Sequence, residues 1–283
     1  MARARSERLL VTRVTAAGRT RRPDELIVEE PLTIQLDGAV VATTMCTPGH
    51  DFELAVGFCV TEGLLAGAPV TGVRYCSGSA SALETHHNVV NVETGGRAPV
   101  PTPRLGPTSS SCGWCGRDQL DALLARLAPL PPSPPIAEDV LASIPTRAID
   151  NQGLFARTGA VHAAAAFAAA GEIELVREDV GRHNAVDKVV GALALAGGLP
   201  ATGRGLFVSG RASIEMVQKA WAAGFGAVVA VSAPTALAVT AARQAGLALV
   251  GFVRAGEDGD VTYNVYSKRS AGRPSSASST DAT

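Results

Sequence analysis

Aromatic side chains are scarce in this 283-residue chain: they fill 4% of positions, although 46% are hydrophobic. A core built from this composition is aliphatic, dominated by Ala, Val and Leu, as in sheets whose faces are covered by helices. An excess of charge is missing too. The 25 Lys and Arg against 26 Asp and Glu leave a formal net charge of −1. No long run of one sign appears, so tight nonspecific binding to nucleic acid is not expected. No apolar run is long enough to span a bilayer; the stretch from Ala160 to Ala170 is too short and too rich in alanine. The basic start Met1-Ala2-Arg3-Ala4-Arg5 is followed by no apolar segment of the signal-peptide kind. A cytoplasmic protein with no membrane partner is therefore expected. Cysteine is sparse and odd in number, five in all, which excludes a dense disulfide scaffold.

The chain has room for one large or two modest domains. Residues 1–22 are polar and Arg-rich and read as a flexible arm. Thr33-Ile34-Gln35-Leu36 and Val40-Val41-Ala42-Thr43 flank Asp37-Gly38, the signature of a type I′ hairpin. Thr47-Pro48 opens a helix whose apolar face is Phe52, Ala55, Val56, Cys59 and Val60, with Gly63 at its end. Val89 to Val92 is a short strand. Leu120, Leu123, Leu124 and Leu127 give a second amphipathic helix. Pro129 to Pro135 holds five prolines and reads as an interdomain linker. The expected division is thus an N-terminal domain over 23–128, a linker over 129–135 and a C-terminal domain over 136–268, with a disordered tail over 269–283.

The second half alternates strands and helices. Strands are expected over Ile173–Val176, Leu206–Val208, Ala227–Val231 and Leu247–Val253. Helices are expected over Arg182–Ala196, Arg211–Ala223 and Thr235–Ala245, and an edge strand over Tyr263–Tyr266. Helical crossovers make the last three of those four strands parallel. The fold class is α/β with two domains. The C-terminal one holds a mostly parallel sheet with helices on its faces. The smaller N-terminal one holds the hairpin, the helix and a CxxC loop.

Three segments carry candidate chemistry. Ser111-Cys112-Gly113-Trp114-Cys115-Gly116 places two thiols on one turn between glycines. A helix start just after it would favour thiolate, since such settings lower a Cys pKa from about 8.5 to roughly 3.5–7.5. Half a zinc site is an alternative, with ligands drawn from Cys46, Cys59, Cys76, His86 or His87, but no second CxxC exists. A thioredoxin-like redox pair is another. Cys59 lies on the apolar helix face and reads as a core residue.

The run from Glu178 to Lys188 puts Arg182 and His183 at a helix start, where they can face an anion. Its ordinary reading is a capped, solvated helix terminus using Asp179 and Asn184. Finally, Ser209-Gly210-Arg211, Ser232-Ala233-Pro234-Thr235 and Phe252-Val253-Arg254-Ala255-Gly256 each follow a parallel strand. They fall on the carboxyl edge of one sheet, where open α/β sheets bind ligands and where Gly and hydroxyl residues present N–H groups to phosphate. Ordinary βα turns use the same residues, and neither a P-loop nor GxGxxG is present.

Taken in order, the segments Leu54-Ala55-Val56-Gly57-Phe58 with Thr61-Glu62-Gly63, Ser111 to Gly116, Glu178 to Lys188, Arg211-Ala212-Ser213 with Glu215 to Lys219, and Leu249-Val250-Gly251-Phe252 resemble one family. It is that of the formate dehydrogenase accessory sulfurtransferases of the FdhD type. The resemblance implies a carrier that moves sulfur from a cysteine desulfurase to a molybdenum or tungsten bis-guanine-dinucleotide cofactor needed by formate dehydrogenase. It assigns the persulfide to Cys112 and an assisting role to Cys115. It places cofactor binding on Phe252, Val253, Arg254, Ala255, Gly256 and Glu257, beside the edge residues Ser209, Gly210, Arg211, Arg182 and His183. A guanine nucleotide such as GDP would occupy the same place.

The resemblance also implies a homodimer and a cytidine-deaminase-like C-terminal domain, with no resident metal. Zinc deaminases use His-x-Glu and Pro-Cys-x-x-Cys. Here Ser111 precedes Cys112 and no His-x-Glu occurs, so deamination is not expected. The loop from Arg254 to Asp260 is acidic, which departs from a phosphate-binding loop. A non-covalent cofactor chaperone and a zinc-stabilised interaction module are the competing functions.

Overall fold

The computed structural model describes residues 3–76, 88–101, 125, 127–255 and 261–269. Two strands open the chain, β1 (Ser6–Thr15) and β2 (Gly18–Ile27), paired antiparallel along their whole length. The arm expected over 1–22 is therefore a regular ribbon, and it crosses the boundary expected at 22/23. Both of its faces are largely exposed, so it shows none of the in/out alternation that marks a strand in sequence.

β3 (Glu30–Leu36) and β4 (Ala39–Cys46) form the next hairpin. Asp37 and Gly38 both have positive φ, at 47° and 86°, as the two-residue I′ turn requires. Leu32, Ile34 and Leu36 alternate into the core. After β4 comes α1 (Asp51–Thr61), which starts four residues later than Thr47 and ends ahead of Gly63 at φ 67°. With β5 (Gly72–Tyr75) and β6 (Val89–Glu93) the strands make a sheet of order β4-β3-β6-β5, in which β3 and β6 are parallel.

Next come α2 (Glu138–Ile149), α3 (Gly153–Thr158), β7 (His162–Phe167) and β8 (Ile173–Asp179). They are followed by α4 (Arg182–Leu195), β9 (Gly205–Val208), α5 (Ile214–Ala223) and β10 (Ala227–Ala230). α6 (Ala236–Ala245), β11 (Ala248–Ala255) and β12 (Val261–Ser267) complete the second half. Six strands form one sheet of order β12-β11-β10-β9-β7-β8. β9, β10 and β11 are parallel, whereas β7, β8 and β12 join antiparallel. The sheet is thus mixed rather than mostly parallel. The alanine run that forms β7 pairs between β8 and β9, and its residues Ala163 to Phe167 are buried.

Strand alternation divides the core in two. Ala164, Ala166, Leu206, Val208, Val228 and Leu249 face α4, α5 and α6. Ala165, Phe167, Phe207, Val229 and Val250 face Leu141, Ile144 and Ala148 of α2. A third cluster lies between the four-stranded sheet and α1. α1 also packs on α4, so Leu54 to Cys59 are buried without interruption, as for a helix covered on both sides. The closest approach is glycine on glycine. A methyl group on Gly57 would stand 1.8 Å from the Asp187 carbonyl oxygen, and one on Gly191 would stand 1.7 Å from that of Glu53.

The Pro-rich run is held against the second half. Trp221 Nε1 donates to the Ala128 carbonyl at 2.7 Å, and Leu130 N donates to that of Ala245 at 3.0 Å. Arg269 donates to the Pro131 carbonyl and to Ser133 Oγ. Although expected in the tail, Arg269 is a buried anchor. The helix expected around Leu120 and the tail beyond Arg269 lie outside the described residues.

Candidate functional site

β8 and β9 are both antiparallel to β7 and so point the same way. The carboxyl ends of β8, β9, β10 and β11 and the start of β7 therefore share one edge. Along it stand Phe252-Val253-Arg254, then Ser232 to Thr235, then Ser209-Gly210-Arg211, then His162, then Asp179 to His183. The backbone ties neighbours together: Phe252 N donates to Ser232 O at 3.3 Å, Ser232 N to Gly210 O at 3.4 Å, and Thr235 N to Ala212 O at 3.1 Å. Ser209 Oγ accepts from Ala163 N at 2.9 Å and lies 3.4 Å from His162 Nδ1.

The side chains on this edge differ in availability. Arg211 and Arg254 are exposed and Arg182 is half-buried. Val253 is buried in the α2-side core, so only its backbone lies at the edge. His183 is buried rather than open to an anion. Glu215 in the first turn of α5 interacts with both His183 and Arg182. Phe252 has φ 54°, an uncommon left-handed conformation for a bulky residue, within an irregular pairing of β11 with β12. The Arg254 guanidinium lies 5.7 Å from the centroid of its ring. β11 continues through Ala255. Gly256, Glu257, Cys112 and Cys115 lie outside the described residues.

His162 was not legible as a site residue, because nothing in an alanine run marks its first residue as an edge. Burial lowers its basicity, and the charge of Arg182 lowers it further against the opposing Asp179. It is a neutral hydrogen-bonding group at neutral pH.

The turn read as a solvated helix cap is instead half of a buried polar network. Asp179 accepts from Thr47 N at 3.1 Å, Gly181 N at 2.8 Å and Asn184 Nδ2 at 2.9 Å, and it pairs with Lys188 Nζ at 2.7 Å. Lys188 also donates to Thr47 O at 2.8 Å, and Asn184 to Met45 O at 2.8 Å. Both members of the ion pair are fully buried. The segment after β4 and the start of α4 are thereby fixed to each other.

A second network lies one helical turn or more along. Lys219 of α5 reaches both oxygens of Asp187 at 2.9 Å, Glu62 Oε1 at 3.2 Å and Thr61 Oγ1 at 2.9 Å. Gln218 Nε2 donates to Thr61 O at 2.5 Å. Burial pushes Asp187 up to about 6 in spite of Lys219, while the two carboxylates hold Lys219 above its ordinary value.

Glu53 on α1 forms a two-point ion pair with Arg177 of β8, at 2.5 and 2.7 Å, and lies 3.2 Å from His50 Nδ1. Burial opposes the charge, but Arg177 and His50 outweigh it and hold Glu53 at about 2, below its ordinary 4.5. A depressed carboxylate contributes stability that is present above the unfolded value and is lost as pH falls through the folded one. Glu53→Gln is therefore expected to be less stable than wild type at pH 7. The difference should narrow between pH 4.5 and about 2. Urea unfolding across that range checks it, and a gap that stays constant would deny the pair this role.

Among the described cysteines, burial pushes Cys46 and Cys59 up to about 12 each. They are neutral core thiols, Cys59 as expected from its helix face, and neither is activated for sulfur chemistry. No group of three metal-ligating side chains converges among the described residues. No described helix is long and apolar enough to cross a membrane.

The comparisons with known proteins fit this frame. The sequence pattern of the FdhD/NarQ family matches residues 27–271. The chain is 45% identical over 268 residues to the sulfur carrier protein FdhD of Streptomyces avermitilis, covering 92% of this chain and 93% of that one. It is 44% identical over 257 residues to that of Mycobacterium tuberculosis, covering 87% and 91%. The fold superposes with a TM-score of 0.74 and 22% identity on a crystal structure from Desulfotalea psychrophila. That protein is provisionally assigned as a formate dehydrogenase accessory protein, and the match covers 93% of this chain and 98% of that one. The family pattern begins at Ile27, where the ribbon ends, and takes in the four-stranded and six-stranded sheets and both buried networks. This chain belongs to the FdhD/NarQ family.

Proposed function

We propose that the protein is a sulfur carrier for formate dehydrogenase maturation, with Cys112 as the carrying thiol. The observation that carries this reading is 45% identity over nearly the whole chain to proteins named sulfur carriers, together with the Cys112-Gly113-Trp114-Cys115 pair. The Cys112 thiolate attacks the outer sulfur of a persulfide on a cysteine desulfurase. The new bond is Cys112 S–S, the broken bond is the donor's S–S, and the donor cysteine leaves as a thiolate that takes up a proton. Cys115 assists the onward transfer.

The client is the molybdenum or tungsten bis-guanine-dinucleotide cofactor. It docks along the carboxyl edge formed by Phe252 to Glu257, Ser209, Gly210, Arg211 and Arg182, with the buried His183 behind that edge and GDP as a partial mimic. The exposed Arg211 and Arg254 support an anionic occupant there. The cytidine-deaminase-like architecture serves as a binding scaffold and performs no deamination. The protein works as a homodimer in the cytoplasm, where desulfurase and formate dehydrogenase meet it.

Intact mass after incubation with cysteine desulfurase and cysteine is the direct test. Wild type is expected to gain about 32 Da per sulfur atom, removed by reductant, and Cys112→Ala to gain nothing while keeping its fold. A reduced CxxC that never gains mass beside an active desulfurase would move the function to a non-covalent cofactor chaperone.

A further inference from the structure

A nucleotide on the carboxyl edge brings a base as well as phosphates, and two side chains that phosphate binding leaves unused are suited to the base. One is His162, the first residue of β7 and half-buried. Ser209 Oγ, just past the end of β9, accepts from Ala163 N at 2.9 Å and lies 3.4 Å from His162 Nδ1. With a lone pair of that oxygen engaged by the amide, its hydroxyl proton is the group left for Nδ1. Nδ1 then accepts, and the single proton of the neutral ring sits on Nε2. The ring also rests close to Gly210, where an added methyl group would stand 3.6 Å from Cε1 and from Nδ1. His162 is thus a ring held by one nitrogen, with an N–H donor on the other.

The second side chain is Glu215, half-buried in the first turn of α5, which begins just after the Ser209-Gly210-Arg211 turn. Burial opposes its charge, but the Ser213 hydroxyl, its own backbone N–H and the fields of His183 and Arg182 outweigh burial and hold the carboxyl below its ordinary value. Glu215 is therefore an acceptor with two oxygens side by side. An acid in a first turn is favoured by the helix dipole, which is its ordinary role. On an edge whose only task was to hold phosphates, however, it would repel the ligand.

Arg182 joins the two, since its charge acts on both His162 and Glu215. Its Nε is buried with no hydrogen-bond partner among the described residues. Buried polar atoms are nearly always paired in folded proteins, so this one marks a place that a ligand completes.

Among the nucleobases, guanine alone presents an acceptor and then two adjacent donors along one edge: O6, N1–H and the N2 amino group. A neutral N–H beside a carboxylate is the complement of that row. Adenine would set its N6 amino group against the N–H and its N1 lone pair against the carboxylate, two repulsive pairings in place of attractive ones.

We infer that His162 and Glu215 select the guanine base, with His162 Nε2–H donating to O6 and the Glu215 carboxylate accepting from N1–H and the N2 amino group. The inference rests on the proposed docking of a guanine nucleotide along this edge and adds base selection to it.

Calorimetric titration of the full chain with GDP, inosine diphosphate and ADP tests it. Inosine diphosphate differs from GDP only in lacking the N2 amino group. Wild type is expected to prefer GDP over inosine diphosphate by at least about tenfold, as for one hydrogen bond to a charged acceptor, and over ADP by at least about a hundredfold. Glu215→Gln is expected to bring GDP and inosine diphosphate within about threefold of each other. His162→Leu is expected to weaken both by at least about tenfold while leaving ADP unchanged, and His162→Gln, which keeps an N–H donor, to recover most of that loss. A merely structural role would weaken all three nucleotides by the same factor. That outcome overturns the inference and leaves the docking edge standing, as does a wild type that binds GDP and ADP alike. A wild type that binds none of the three overturns the docking edge itself, and base selection with it.

Discussion

Gly57→Ala and Gly191→Ala are each expected to destabilise the protein by at least about 3 kcal/mol, or about 10 °C in melting temperature for a chain of this size. The two positions are the point where α1 and α4 touch backbone to backbone. The added carbon would fall 1.8 Å from Asp187 O in the first case and 1.7 Å from Glu53 O in the second. Neither obstacle is a flexible side chain that can swing aside. The helices would have to separate, and separation stretches everything that joins them: Thr61 to Asp187 at 2.8 Å, Glu53 to Arg177, and Thr47 to Lys188 and Asp179. Gly153→Ala is the control, since its added carbon meets nothing within 4 Å, and it should stay within about 0.5 kcal/mol of wild type. Calorimetric melting of the three variants decides the matter. Wild-type-like melting of Gly57→Ala would mean that the helices tolerate a wider spacing.

Lys219→Met is expected to cost about 3–5 kcal/mol at neutral pH, the range for breaking a buried ion pair from one side. The loss is an uncompensated charge, because Asp187 and Glu62 stay behind, buried, with their shared cation removed. The pH dependence identifies the cause. Asp187 is already pushed up to about 6 with Lys219 present, and without it this carboxylate moves further in the same direction. A raised carboxylate contributes its stability below the unfolded value and loses it as pH rises through the folded one. The deficit of Lys219→Met should therefore be smaller at pH 5 than at pH 8. Adding Asp187→Asn should recover more than half of the neutral-pH loss. Guanidinium unfolding at the two pH values provides the measurement. A deficit independent of pH would point instead to the lost contact of the Lys219 ammonium with the Phe58 ring, 5.6 Å from its centroid.

How far the sequence carried this fold depended on whether the deciding contacts were local. The Asp37-Gly38 turn, the burial of Leu32, Ile34 and Leu36, and the β9-β10-β11 parallel order follow from patterns a few residues long. β7 was missed because alanine has little strand preference and a strand buried on both faces has no alternation to show. The ribbon was missed for the opposite reason, having no buried face at all. The antiparallel insertion of β7 and β8 also made the sheet mixed, and it brought His162 and Asp179 to the carboxyl edge together.

The candidate site divides in the same way. Ser209, Arg211, Ser232 and Phe252 were placed on one edge by strand order alone, and the structure puts them there. Asp179, Asn184, Asp187 and Lys188 were read for what they face locally. Their partners Thr47, Met45 and Thr61 lie more than 120 residues away in the chain, beyond the reach of any local pattern.

The docking of Ala128 and Leu130 has a consequence for Cys112 that needs nothing but covalent geometry. The chain leaves the first half at Pro101 and is held again at Leu127, which packs into the core of the second. Cys112 is 11 residues from the first anchor and 15 from the second. At about 3.5 Å per residue, its thiol stays within about 40 Å of one and about 55 Å of the other in every conformation. Sulfur carried on that cysteine, as proposed above, would be leashed at both ends. Its meeting with anything seated on the carboxyl edge is then an intramolecular event at a fixed effective concentration, however dilute the protein is in the cell.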